Sequence, residues 1–138
     1  DAAQERFEFL GYSFGLHHQP RNGNRYLGAS PSKKSLQRVK DKVGDLLDPA
    51  NTGPWPEVRD QLNSLLRGWS GYFNYGSLTL AYRALNQHVE ESVRRFLVRR
   101  HKVPSRGTRR FSEQAVFGPL GVLRLTPPRR ARPPHARV

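Results

Sequence analysis

The side chains able to do chemistry in this chain are mostly cations; its carboxylates are too scattered to act together. Eleven Asp and Glu are spread over 138 residues, whereas metal-dependent phosphoryl or nucleotidyl transfer needs carboxylates clustered around divalent ions. The adjacent pair Glu90-Glu91 falls in a helical stretch, where neighbours point about 100° apart, so it reads as a solvated face. There is no phosphate-cradling Gly-rich loop and no His-Glu-x-x-His. The histidines (His17, His18, His88, His101, His135) lack the spacing of a metal pair. With no cysteine, a disulfide framework, a thiolate zinc site and a thiol nucleophile are all excluded. The expectation is a chain without catalysis, metal or cofactor.

What remains is recognition of a polyanion. The formal net charge is +13, and such an excess marks nucleic acid or an anionic surface as the natural partner. It is graded along the chain: residues 101–138 hold nine Lys/Arg against one acid. Two helical sets stand out. Lys33, Lys34 and Arg38, with Lys40 and Lys42, decorate the first predicted helix, and Arg94, Arg95, Arg99, Arg100 and Lys102 crowd the end of the third. The negative end of a helix dipole attracts one or two cations; phosphate contact accounts for all five.

The densest signal is Arg67-Gly68-Trp69-Ser70-Gly71-Tyr72-Phe73-Asn74-Tyr75. At about 100° per residue, Val58, Leu62, Leu65, Leu66, Trp69, Tyr72 and Phe73 form one apolar stripe, so Trp69, Tyr72 and Phe73 are expected in the core. Ser64, Gly68 and Gly71 make a flank too small to hold another surface at a distance. Asn63, Arg67 and Asn74 share a polar strip. Two glycines inside a helix cost about 1 kcal/mol each, so Gly68 and Gly71 call for something passing close by, either a neighbouring helix or a nucleic-acid backbone.

These residues need a scaffold, and the chain divides into four parts. Residues 1–29 hold an aromatic strand from Phe7 to Leu16, with a parity switch near Gly11 that a bulge would explain, and Asn22-Gly23 as a hairpin turn returning through Arg25-Tyr26-Leu27. Residues 30–101 hold three amphipathic helices. The first opens at Ser30-Pro31-Ser32, with Ser as N-cap and Pro in the first turn, and carries Leu36, Val39, Val43, Leu46 and Leu47. The second starts near Pro56 and stops at Gly76. The third carries Tyr82, Leu85, Val89, Val93, Phe96 and Leu97. Short links favour antiparallel neighbours, so the fold class is mainly α: a three-helix bundle preceded by a small antiparallel β-hairpin. Residues 102–126 are a basic extension, with Ser112 to Val116 as a helical turn or two and Leu120 to Leu125 lying on the bundle. Residues 127–138 are a Pro/Arg tail with too little apolar surface to order. No apolar run is long enough to span a membrane, and no secretory h-region is present, so a cytoplasmic setting is expected.

Phe9-Leu10-Gly11-Tyr12 before a hairpin, then Pro31-Ser32-Lys33-Lys34, then Leu66-Arg67-Gly68-Trp69 with Tyr72-Phe73, resemble in order and spacing the C-terminal part of group II intron reverse transcriptases. They look like the end of the palm followed by the thumb, which in that family is the maturase-specific X domain. The resemblance implies that Phe9, Leu10, Gly11 and Tyr12 match the primer-grip hairpin, Gly11 letting backbone approach backbone. It implies that the three helices match the thumb that holds template–primer duplex and intron RNA, with Lys33, Lys34, Arg38, Arg67 and Asn74 as backbone contacts. The family's Tyr-Ala-Asp-Asp-type active site is missing, as is the Cys-bearing endonuclease module of some members. The expected function is RNA gripping and assistance to splicing without catalysis by this chain. The alternative is an accessory subunit of an RNA-directed DNA polymerase whose palm is on another chain.

Overall fold

A computed structural model describes residues 6–18 and 25–128. It begins with a three-stranded antiparallel sheet in the order β1 (Arg6–Phe9), β2 (Tyr12–His18), β3 (Arg25–Pro31). The single aromatic strand expected from Phe7 to Leu16 is therefore two strands. Phe9 pairs with Tyr12, and Leu10 and Gly11 between them take φ of 53° and 85°. That is the two-residue hairpin loop with both central residues left-handed, whose twist suits antiparallel strands. A chain reversal, not a bulge, causes the parity switch. The second reversal is shown by the pairing of His18 with Arg25, while Asn22-Gly23 lies outside the described residues.

Three long helices follow: α1 (Lys33–Leu46), α2 (Trp55–Tyr72) and α3 (Thr79–Arg100). α1 starts two residues later than the sequence suggests. Pro31 closes β3, and Ser32, rather than Ser30, is the N-cap, its hydroxyl accepting from the Ser35 amide at 3.1 Å. α2 starts as expected, with Pro56 in its first turn, where the missing amide hydrogen would have no partner anyway. It ends at Tyr72, before Gly76. Phe73 turns out of the helix (φ −95°, ψ 68°), and the Asn74 side-chain amide donates to the carbonyl of Gly71 at 2.9 Å, satisfying a free carbonyl of the last turn. Gly76 instead has φ 81° and passes so close to Ala29 that a Cβ would overlap its carbonyl. The Ser77 amide donates to that same carbonyl at 2.7 Å, fastening the α2–α3 link to β3.

The core forms where the stripes meet. Val39, Val43 and Leu47 pack with Val58, Leu62 and Leu66, and with Tyr82, Leu85, Val89, Val93, Phe96 and Leu97. Each such side chain contributes about 1.5–3 kcal/mol of apolar burial. The extension closes the bundle: a short helix α4 (Glu113–Phe117), capped by Ser112, places Val116 in the core with Phe111, Val122 and Leu125.

The extension is held by side-chain amides that mimic strand pairing. Asn63 donates to the Gly121 carbonyl (2.9 Å) and accepts from the Leu123 amide (2.8 Å). Asn86 does the same with the carbonyl and amide of Leu125, both at 2.8 Å. Asn63 is thus buried at 8% exposure and does not belong to a solvent-facing polar strip with Arg67 and Asn74. Of residues 127–138, only Pro127 and Pro128 are described.

Candidate nucleic-acid interface

The sequence-predicted residues fall into two exposed patches and one internal set. At the start of α1, Lys33, Lys34 and Arg38 are exposed, as is Lys42 one turn on. Ser35, Val39 and Val43 turn the opposite side of the helix inward. Among the described residues the ion pairs join Arg59 to Asp60, Arg94 to Glu90 and Arg124 to Glu113, so none of the α1 cations has a carboxylate partner. Arg67 on α2 and Asn74 just beyond its end are also exposed.

The second patch is at the far end of the bundle. Arg95, Arg99 and Lys102 are exposed. Arg100 lies at the α1–α2 link, its guanidinium donating to the carbonyls of Gly53 (2.7 Å) and Asn51 (2.8 Å) and stacking 4.5 Å from the Phe96 ring centre. α1, at 14 residues, is about 21 Å long, and it separates this end from Lys33 and Lys34. The two sets of cations do not form one site.

Two of the predicted contacts hold the fold instead. Arg94 is paired with Glu90 and donates through Nε to the Phe111 carbonyl at 2.8 Å, anchoring the extension. Arg100 clasps the α1–α2 link as described. Both guanidiniums face protein acceptors because the chain must satisfy carbonyls at its irregular turns, a demand that the helical pattern of Arg and Lys does not reveal.

The β1–β2 turn is clamped between α1 and α2. The Gly11 carbonyl accepts from the Ser32 amide and from the Ser35 hydroxyl, both at 2.8 Å. The Tyr72 hydroxyl donates to the Leu10 carbonyl (2.7 Å), and the Tyr12 hydroxyl donates to the Tyr72 carbonyl (2.8 Å). The Tyr12 ring packs on Phe73, with centroids 5.1 Å apart. This clamp leaves Phe9 and Leu10 in solvent, 62% and 67% exposed, so neither is hairpin core.

The aromatic segment of α2 divides similarly. Phe73 is buried, Trp69 half-buried, and Tyr72 is 52% exposed, so Tyr72 works through its hydroxyl rather than as core. Trp69 packs on Phe73 and Tyr82, while its indole N–H is buried without an acceptor among the described residues. Tyr82 donates to the Phe73 carbonyl at 2.6 Å, and burial raises its phenol pKa above the ordinary range, with Tyr12 adding to the shift. Gly68 and Gly71 are exposed, and a Cβ on either would meet nothing within 4 Å. No neighbouring helix explains them.

Gly68 instead borders a groove of about 650 Å³ between α1, α2 and the hairpin turn. Arg38 and Lys42 stand on its α1 side, Ser64 and Gly68 on its α2 side, and Leu10 and Gly11 at its end. Sequence reasoning found the cations and the glycine separately; their meeting across a groove has no sequence signal.

The maturase-specific domain of group II introns matches residues 36–113, from the first turn of α1 to the first residue of α4. That span covers more than half of the chain and all three core helices except the first residues of α1. The chain belongs to the group II intron maturase-specific domain family. No curated protein matches it. As a maturase-specific domain it serves group II intron splicing, and such a domain is not by itself catalytic. Among the described residues of this maturase domain, no group of His, Asp and Glu could hold a metal ion, and no helix is long and apolar enough to cross a membrane.

Proposed function

We propose that this maturase domain grips structured RNA, intron RNA or a template–primer duplex, through the exposed cations of α1 with Arg67 and Asn74. The observation that carries this reading is the set Lys33, Lys34, Arg38 and Lys42, exposed together and without carboxylate partners among the described residues. Because the grooves of A-form helices hide base edges or display them shallowly, the contacts are to phosphates and 2′-hydroxyls. Arg95, Arg99 and Lys102 form a second, separate contact. Arg94 and Arg100 are left out, since protein groups already engage them. Phe9, Leu10, Gly11 and Tyr12 act as a primer-grip-like tip, with the first two presented to the nucleic acid and the last two fixing the turn.

The test is binding of a structured RNA to the purified chain across a salt series. With about six phosphates engaged, log affinity falls against log salt with a slope of about −4 to −5. Replacing Lys33, Lys34 and Arg38 together by Gln reduces that slope and leaves the fold intact; a slope near zero, or no binding at low salt, refutes the reading.

A second reading has its own observation. Phe9, Leu10, Tyr72 and Tyr75 are large, more than half exposed, and carried by the hairpin tip and the end of α2, an arrangement suited to a protein neighbour such as a palm-bearing polymerase chain. Co-purification with such a chain, together with a gain in primer extension on mixing, would support it.

A further inference from the structure

The groove beside Gly68 has a composition that phosphate binding alone does not use. Its apolar floor is Leu65 and Trp69 of α2, both partly exposed, over the buried Val39 of α1. Its rim carries Arg38 and Lys42, both exposed and outside the ion pairs of the described residues. It is open because α2 presents no side chain at Gly68, where a Cβ would meet nothing within 4 Å. At about 650 Å³ it is within the ~300–1,000 Å³ range of small-molecule sites. Resting on the rim, a duplex would offer phosphates to Arg38 and Lys42 and leave the floor wet. An unstacked nucleotide brings both chemistries together, an apolar base face for the floor and a phosphate for the rim.

We propose that the α1–α2 groove takes one unpaired RNA nucleotide, its base seated over Leu65 and Trp69 and its phosphate held by Arg38 and Lys42. This rests on the RNA-binding reading above and adds to it a preference for RNA with an unpaired base. The Gly68 position is the gate: any side chain there occupies the space of the base. The exposed Leu10 closes the hairpin end of the groove, so the nucleotide enters from the solvent side between the two helices.

The experiment compares the full chain with Gly68→Leu and with Gly44→Leu, using two probes: a short hairpin RNA with an unpaired loop and a blunt RNA duplex of the same stem. Gly44 is an exposed glycine of α1 that does not border the groove, and it too has nothing within 4 Å of a Cβ. Both variants replace a helical glycine by a better helix former, so both melt at or above the parent temperature. Gly68→Leu weakens loop-RNA binding by about tenfold or more, the range for losing one stacked base, and changes duplex binding less than about twofold. Gly44→Leu changes neither. Equal affinity of the Gly68→Leu protein and the parent for both probes overturns the nucleotide site while leaving the phosphate reading standing; equal weakening of both probes overturns it as well. Failure of the parent to bind either probe overturns both readings. A change of oligomeric state in Gly68→Leu, with RNA affinities unchanged, would assign the groove to a protein segment and likewise refute the proposal.

Discussion

Replacing Gly11 by Ala should undo the joint between sheet and bundle. Gly11 has φ 85°, and a Cβ there would lie 2.8 Å from the Ser35 hydroxyl and 2.9 Å from Cζ of Phe73. Phe73 cannot yield, because it is buried and packed between Tyr12 and Trp69. The left-handed backbone alone costs an L-residue about 1–2 kcal/mol. Displacing the Ser35 hydroxyl breaks its bond to the Gly11 carbonyl, a further loss of about 0.5–1.5 kcal/mol. The joint is therefore weakened by roughly 1.5–3.5 kcal/mol. Hydrogen exchange reads this directly at the Ser32 amide, which donates to Gly11. Its exchange should accelerate by about 10- to 300-fold, at about tenfold per 1.4 kcal/mol, while the amides of Val89 and Val93 in the middle of α3 change less. Unaltered Ser32 protection would mean that the turn is not held against Phe73 in the way described, and the placement of Phe9 and Leu10 at the interface would fall with it.

Three further outcomes follow from the same geometry. Arg100→Ala removes two charged hydrogen bonds to the α1–α2 link, each worth about 1.5–3 kcal/mol; it should lower the melting temperature, while Arg67→Ala leaves stability unchanged and weakens RNA binding. Trp69→Phe keeps a ring against Phe73 and Tyr82 and removes an indole N–H that has no acceptor among the described residues, so by urea denaturation it should cost clearly less than the roughly 3–5 kcal/mol of Trp69→Ala. His88 has its pKa pushed below the ordinary value of 6.5 mainly by burial, a backbone hydrogen bond at Lys40 opposing the shift and the charges of Lys40 and Arg95 adding to it. The unfolded chain then binds the proton first, so stability falls as pH drops through about 6.5 and levels off below the folded-state value. Melting curves between pH 7.5 and about 5 should show this loss, and His88→Gln should remove that part of it.

How much of this was legible beforehand depended on the range over which each signal acts. The α3 stripe from Tyr82 to Leu97 is a local periodicity, and every member predicted for the core is buried there. The parity switch at Leu10-Gly11 was equally local, yet ambiguous, because a bulge and a tight reversal leave the same trace in one strand. Asn63 sits one residue from the apolar stripe, where the helical pattern alone groups it with the polar strip of Arg67 and Asn74. Only the arrival of Gly121 and Leu123, about sixty residues on, gives its amide a buried partner.

By itself the sequence determined the helical stripes, the excess of cations and their placement on α1 and α3, since these follow from side-chain type and a fixed rotation per residue. Only the tertiary structure decided which cations stay free. Arg94 and Arg100 meet carbonyls from distant segments, whereas Lys33, Lys34 and Arg38 have no carboxylate partner among the described residues. It also decided what the glycines of α2 face, for whether a missing side chain is filled by a neighbour or left as a groove depends on where the other helices lie. At Gly68 nothing fills it.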